Sequence, residues 1–209
     1  MNNGDFPDLS AIRFHPDHIW VFGLDPGQTT GLAAIAVPAE SLISDGIPGI
    51  LAHVTLDITG SLMRQVSIAC IAAAKVCHST KGYAPVIAIE DFDMGGNKLT
   101  GAASTADIAI PIRWGGAMEY AIECGHAEDA ILKFQPRTLA FTTATDARLR
   151  AWDLYVPGDH KRDATRHSIT MIRRIRAGSI DPEELWNIGL SSTRKQEPEP
   201  LQSMIKSPT

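Results

Sequence analysis

A chain of 209 residues suits one domain with a sizeable core plus a terminal extension, and 44% hydrophobic against 21% charged residues is an ordinary globular balance. No apolar run approaches the roughly eighteen residues of a membrane span, and the segment from Met1 to Pro7 has neither the basic nor the apolar part of a secretory signal, so a cytoplasmic location without membrane partner is expected. The net charge of −5 speaks against a polyanionic partner only until it is divided: residues 1–132 carry 6 Lys and Arg against 15 Asp and Glu, whereas residues 133–176 carry 10 against 4. A basic block on an acidic body is as consistent with a phosphate-binding face as with a solvated amphipathic helix, because the local field steers a polyanion.

Residues 1–17 are polar and contain proline, and read as an arm. From His18 the chain runs apolar to Asp25, turns at Pro26-Gly27, and runs apolar again from Gly31 to Val37, which predicts two strands joined by a turn. Gly49 to Ile58 alternates apolar and polar residues and reads as a third strand, completing an antiparallel meander. Leu62, Val66, Ala69, Ala73 and Val76 keep helical spacing over about 61–78, with Cys70 and Cys77 on one face of that helix. The three cysteines include no C-x-x-C pair and read as reduced thiols.

Pro85 to Glu90 is a short continuous apolar run ending in an acid, as in a central strand buried on both faces. A glycine-bearing loop follows (Gly95, Gly96, Gly101), then an alanine-rich helix over about 103–124, where Pro111 and Gly115-Gly116 predict a kink or break. Ala130 to Phe134 reads as another strand and Pro136 as a helix start. Leu139 to Leu154 reads as helix with a break at Thr142-Thr143. After Pro157-Gly158, Asp159 reads as the cap of a basic amphipathic helix over 160–176. Residues 18–178 thus form one domain, followed over 179–209 by a short helix at 182–188 and a Ser, Pro, Glu and Gln-rich tail expected to be disordered. Three antiparallel strands followed by strands alternating with helices give an α/β fold with a mixed five-stranded sheet.

Asp25 and Glu90 both fall at the carboxyl ends of apolar strands, where α/β folds place their ligands. Singly, Asp25 reads equally well as a turn residue before Pro-Gly, and an acid ending the strand at Glu90 needs solvent, a partner or a cation. As a pair on neighbouring strands they would repel, which a divalent cation relieves. His160 and Asp163 lie three apart at the start of the basic helix and share a face. Asp163 is equally placed to favour the helix N-terminus or to pair with its basic neighbours. Together these oxygen-rich donors suit Mg²⁺ or Mn²⁺ better than Zn²⁺.

Phe22-Gly-Leu-Asp-Pro-Gly-Gln-Thr-Thr-Gly-Leu-Ala34 resembles the opening strand, turn and strand of RuvC-like Holliday junction resolvases of the ribonuclease H-like superfamily. Ala88-Ile-Glu-Asp-Phe92 resembles the second acidic strand end of that family, and His160-Lys-Arg-Asp-Ala164 its C-terminal acidic helix. Their order and spacing agree over residues 18–176. Arg162-Asp-Ala-Thr-Arg-His167, with Leu149-Arg-Ala-Trp152 ahead of it, is similar to actinobacterial phage members. Two departures stand out: most members have an acid at His160, and no lysine-rich segment precedes the last helix.

The resemblance implies a ribonuclease H-like fold and a metal-dependent endonuclease acting on branched DNA, foremost a four-way junction. It implies Asp25, Glu90, His160 and Asp163 as the catalytic and metal-binding set, and a homodimer. Two Mg²⁺ ions, with Mn²⁺ able to substitute, would clamp the scissile phosphate, Asp25 bridging both; His160 is a ligand or a proton shuttle. Expected DNA contacts are Lys98, Arg137, Lys161, Arg162, Arg166 and the aromatic Phe92. The helix at 103–124, with Ile108, Ile110, Trp114, Met118 and Ile122, is the candidate dimer interface, or packs only on its own sheet. Two rival readings are an actin-like or sugar-kinase-type ATP-binding protein, using Thr29, Thr30 and Gly95-Gly96, and a non-catalytic DNA-binding phage accessory protein.

Overall fold

The computed structural model describes residues 18–39, 49–79, 83–91, 105–127, 129–180 and 185. The expected N-terminal arm, the glycine loop beyond Asp91 and, Leu185 apart, the helix and tail beyond Ile180 lie outside these residues. Five strands, β1 (His18–Asp25), β2 (Thr30–Pro38), β3 (Ala52–Ile58), β4 (Val86–Asp91) and β5 (Ile131–Pro136), form one sheet in the order β3-β2-β1-β4-β5. The pairs β1–β2 and β2–β3 are antiparallel, and β1–β4 and β4–β5 parallel. This is the mixed sheet expected of a ribonuclease H-like fold. β1 and β4 are apolar almost throughout because both are interior strands covered on both faces. β3, at the edge, is only half buried and alternates.

Side-chain alternation along β1 divides the core in two. Trp20, Phe22 and Leu24 point to one face, where they pack with Val66, Ala69, Cys70 and Ala73 of α1 (Leu62–Ser79) and Trp114 and Met118 of α2 (Thr105–Glu123). Ile19 and Val21 point to the other, with Val86 and Ala88 of β4, against Ile169, Ile172 and Ile175 of α5 (Asp159–Arg176). Leu149 of α4 (Asp146–Ala151), which follows α3 (Arg137–Thr143), joins this second cluster. Among the described residues no helix is long and apolar enough to cross a membrane.

Three local readings are corrected. The helix α2 runs unbroken through Pro111 and both following glycines. Burial of Trp114 and Met118 outweighs the local cost of proline, about 3 kcal/mol. Those two residues belong to the chain's own core, so the helix packs on its own sheet with Ile112 and Tyr120 left exposed. The break between α3 and α4 falls at Ala144-Thr145. There the Thr145 side chain accepts from the Arg148 N–H, and Arg148 donates back to the carbonyls of Thr142 and Thr143. Finally, Gly158 at φ 96° is the N-cap of α5 and makes no side-chain cap, while Asp159 is the first helical residue and pairs with Arg162.

Candidate active site

The parallel register aligns Leu24 with Ile89, so Asp25 and Glu90, one residue further on, stand at the same level near the ends of adjacent strands. Glu90 in turn pairs with Gln135 of β5, and Asp25 with Gly31 of β2. Gly31, Asp25, Glu90 and Gln135 therefore make one row across four strands at the carboxyl end of the parallel strands. Asp25 shares a face with Gly23, and Glu90 with Ala88, which is the face covered by α5.

How closely α5 can lie on this row depends on two glycines. A Cβ at Gly23 would collide with the Ala164 carbonyl oxygen and the Ser168 side chain, and a Cβ at Gly31 with the His160 carbonyl. Ser168 Oγ donates to the Ala33 carbonyl at 3.0 Å, fastening the helix to β2. The first turns of α5 are thus pressed onto the sheet, with His160, Asp163 and His167 spaced along the face that meets the row. On the other side, Gln65 of α1 holds the Pro26–Thr30 turn. Its Oε1 accepts from the Thr30 hydroxyl at 2.6 Å and the Trp114 ring N–H at 3.2 Å, and its Nε2 donates to the carbonyls of Gln28 and Gly60.

Of the four expected residues, His160 and Asp25 touch, and the charges of Glu90 and Asp163 reach Asp25. His160 Nδ1 lies 2.8 Å from Asp25 Oδ2. Asp25, Glu90 and Asp163 are each buried. Burial pushes the Asp25 carboxyl from 3.8 up to about 6; the His160 hydrogen bond opposes this, and the nearby charges of Glu90 and Asp163 add to it. The sheet and helix therefore bury Asp25 with two other acids near enough to act on it. The Asp163 carboxylate is bonded by Arg166 on one oxygen and approached by Arg137 at 3.5 Å on the other. Glu90 Oε2 lies 3.8 Å from Nε2 of the fully buried His167.

Among the described residues no three His, Cys, Asp or Glu side chains are arranged around one ion. Asp163 faces its arginines, and His160 Nδ1 is taken by Asp25. The donor chemistry nonetheless fits a hard divalent cation. Three buried carboxylates supply oxygens, and the Asp25 carboxyl, raised mainly by burial and further by the charges of Glu90 and Asp163, is one that a cation would return to its charged form. Arg166 also bonds Asp146 and the Ala144 carbonyl, so it keeps partners if Asp163 turns towards the row.

The expected DNA-contacting residues fare differently. Arg137 is half exposed, stacked on Phe141 beside Asp163. Lys161 is more covered and pairs with Asp57 at 3.3 Å. Arg162 is held by Asp159, Asp146 and Tyr155. Arg166 is buried between Asp163, Asp146 and the Phe141 ring, and so forms a wall of the site instead of a surface contact. Phe92 and Lys98 lie outside the described residues. Reading the sequence missed Gly23, Gly31, Gln135 and His167. Only the glycines carried a signal, as breaks in otherwise apolar strands. Against the ATP-binding reading, the Thr30 hydroxyl is buried and committed to Gln65.

No protein-family model matches the chain, and no curated protein matches it. Among solved structures it is similar to RuvC of Thermus thermophilus, at 16% identity over 77% of this chain and 97% of that one, with a TM-score of 0.48. It is also similar to T. thermophilus RuvC in complex with a Holliday junction substrate (16% identity, 78% and 98% covered, TM-score 0.47). A third is the yeast mitochondrial Holliday junction resolvase (12% identity, 80% and 82% covered, TM-score 0.42). The likeness is one of chain path at low identity.

Proposed function

We propose that this chain is a divalent-metal-dependent endonuclease that cuts branched DNA, a Holliday junction resolvase of the RuvC-like kind. The observation that carries the reading is the meeting of Asp25, Glu90 and Asp163 with His160 at the carboxyl end of β1 and β4. These acids are buried, and α5 is pressed onto the row that holds two of them.

Asp25, Glu90 and Asp163 would hold two cations, Mg²⁺ or in its place Mn²⁺, and His160 would either join them as a ligand or move a proton. Bound there, the cations would neutralise charge on the phosphate oxygens and make water a stronger nucleophile at neutral pH. The protein's own part is to hold these carboxylates where solvent is largely excluded, so that their field acts at low dielectric. With Nδ1–H donated to Asp25, the neutral His160 ring carries its lone pair on Nε2, the one atom that would serve as ligand or as proton acceptor. Arg137, the half-exposed cation beside Asp163, is the first candidate for a phosphate oxygen, with Lys161 next to it in rank. The near two-fold symmetry of a four-way junction favours a homodimer. Kinship with the phage members of the family rests on the Arg162 to His167 motif and the Leu149 to Trp152 segment ahead of it.

The test is cleavage mapping on four-way, three-way, duplex and RNA–DNA hybrid substrates with Mg²⁺, Mn²⁺ or chelator. The proposal expects metal-dependent cuts near the branch point, lost in chelator. Junction binding without cleavage in either metal, or ATP hydrolysis in its stead, would overturn it.

A further inference from the structure

We infer that His167, held in one tautomer by Gln135, is a positioning residue that orients the Glu90 carboxylate. Neither residue has a part in the mechanism above, yet both sit on it. Gln135 is next to Glu90 in the row across the sheet. His167 lies one helical turn beyond Asp163, on the same face of α5. Each acid of the sheet thereby has its own histidine from α5: His160 against Asp25, and His167 against Glu90.

The hydrogen bonds decide which ring nitrogen carries the proton. The Gln135 side chain lies 2.8 Å from the His167 carbonyl oxygen, which can only accept, so the amide end pointing there is the NH₂ group. That same nitrogen lies 2.9 Å from His167 Nδ1. Its second hydrogen faces Nδ1, which must therefore be the bare acceptor. The ring proton is left on Nε2. That atom is buried and makes no hydrogen bond among the described residues, and Glu90 Oε2 stands 3.8 Å away.

A buried N–H without an acceptor is costly and uncommon, and here it is aimed at one of the acids of the site. Catalytic hydrogen bonds are often long in the free protein and shorten when the site is filled. A small rotation of Glu90 would bring Oε2 onto the His167 N–H and leave Oε1 for the cation proposed to lie at this site. The arrangement is that of an outer group that orients a ligating carboxylate and raises metal affinity through it.

The inference rests on the metal-dependent reading of the site, and the experiment separates the two. Mn²⁺ affinity is measured by calorimetry on the full chain without DNA, for the wild type, His167→Leu, His167→Gln and Gln135→Met. Glutamine can place an N–H where the histidine Nε2–H stood. The expectation is Mn²⁺ binding weakened by about tenfold or more in His167→Leu and substantially regained in His167→Gln. Gln135→Met leaves the imidazole in place but frees its tautomer, so it should also weaken binding and serves if His167→Leu does not fold. Long-range ¹H–¹⁵N spectra of the labelled wild type should show His167 as the Nε2–H tautomer, assigned by its loss in His167→Gln. A wild type that binds no Mn²⁺ overturns the metal reading and this inference with it. Wild-type affinity in folded His167→Leu or Gln135→Met, or an Nδ1–H tautomer, overturns this inference alone.

Discussion

The two faces of the sheet are built on opposite terms, and β1 shows both within eight residues. Towards α1 and α2 it presents Trp20, Phe22 and Leu24, large side chains that hold those helices off the strand and fill the space between with apolar contact. Towards α5 it presents Ile19, Val21, Gly23 and Asp25, a row that shrinks to nothing and then turns acidic. The first face is a core in the ordinary sense. The second begins as core at its far end and becomes a site where the helix touches backbone. Stability and the proposed chemistry are thus separated by the alternation of one strand, and substitutions on the two faces should behave differently.

The largest contrast is expected at the end of that strand. Asp25→Asn should lower metal-dependent cleavage by roughly a hundredfold or more while the far-UV circular dichroism stays that of the wild type. Near-normal cleavage would remove Asp25 from the chemistry. One residue back, on the opposite face, Leu24→Ala should cost about 2–5 kcal/mol in denaturant unfolding through the cavity it leaves, yet at low temperature keep its metal requirement. Gly31→Ala should cost about 1–3 kcal/mol or more, because its methyl would meet α5 backbone, which only a shift of the helix itself relieves. It should also lose cleavage out of proportion, since that shift moves His160. Equal loss of activity per kcal/mol in the two variants would dissolve the distinction between the faces.

A subtler effect follows from Asp25 itself. Its carboxyl titrates at about 6 in the fold and near 3.8 otherwise, so the folded state binds this proton more tightly. The stability it contributes is complete below about pH 3.8 and declines as pH rises through 6. In metal-free buffer Asp25→Asn should therefore be more stable than the wild type above pH 7, by on the order of 2 kcal/mol, and the gain should shrink towards pH 4. Parallel melting profiles from pH 4 to 8 would contradict this. The smallest effect is reserved for Arg137→Gln, which should weaken junction binding only modestly and reduce the slope of log affinity against log salt by about one. An unchanged slope would take Arg137 off the DNA.

Much of this was legible in the residues. The apolar runs from His18 to Asp25 and from Pro85 to Glu90 announced interior strands, and their terminal acids pointed to the candidate site. The helical period over α1 and the switch from three sequential strands to alternating helices and strands supplied the order of elements. What escaped depends on contacts between distant segments. Arg166 reads as one more basic residue of a charged helix, and only the approach of Asp146 from α4 buries it. The requirement for glycine at 23 and 31 exists only because α5 lies on those positions. His167 sits in a basic stretch like any exposed histidine, and its burial is set by Gln135 on a strand more than thirty residues earlier. The unbroken course of α2 through Pro111 likewise belongs to tertiary packing, which local propensity does not register.

The central claim is that the acids of β1, β4 and α5 jointly hold a divalent cation. Anomalous scattering from crystals grown with Mn²⁺ tests it most directly. The expected result is Mn²⁺ density within coordinating distance of Asp25 and Glu90, with the Asp163 carboxylate turned from Arg166 towards it. Density elsewhere, or none at millimolar Mn²⁺ with Asp163 still on Arg166 and His160 still on Asp25, would contradict it.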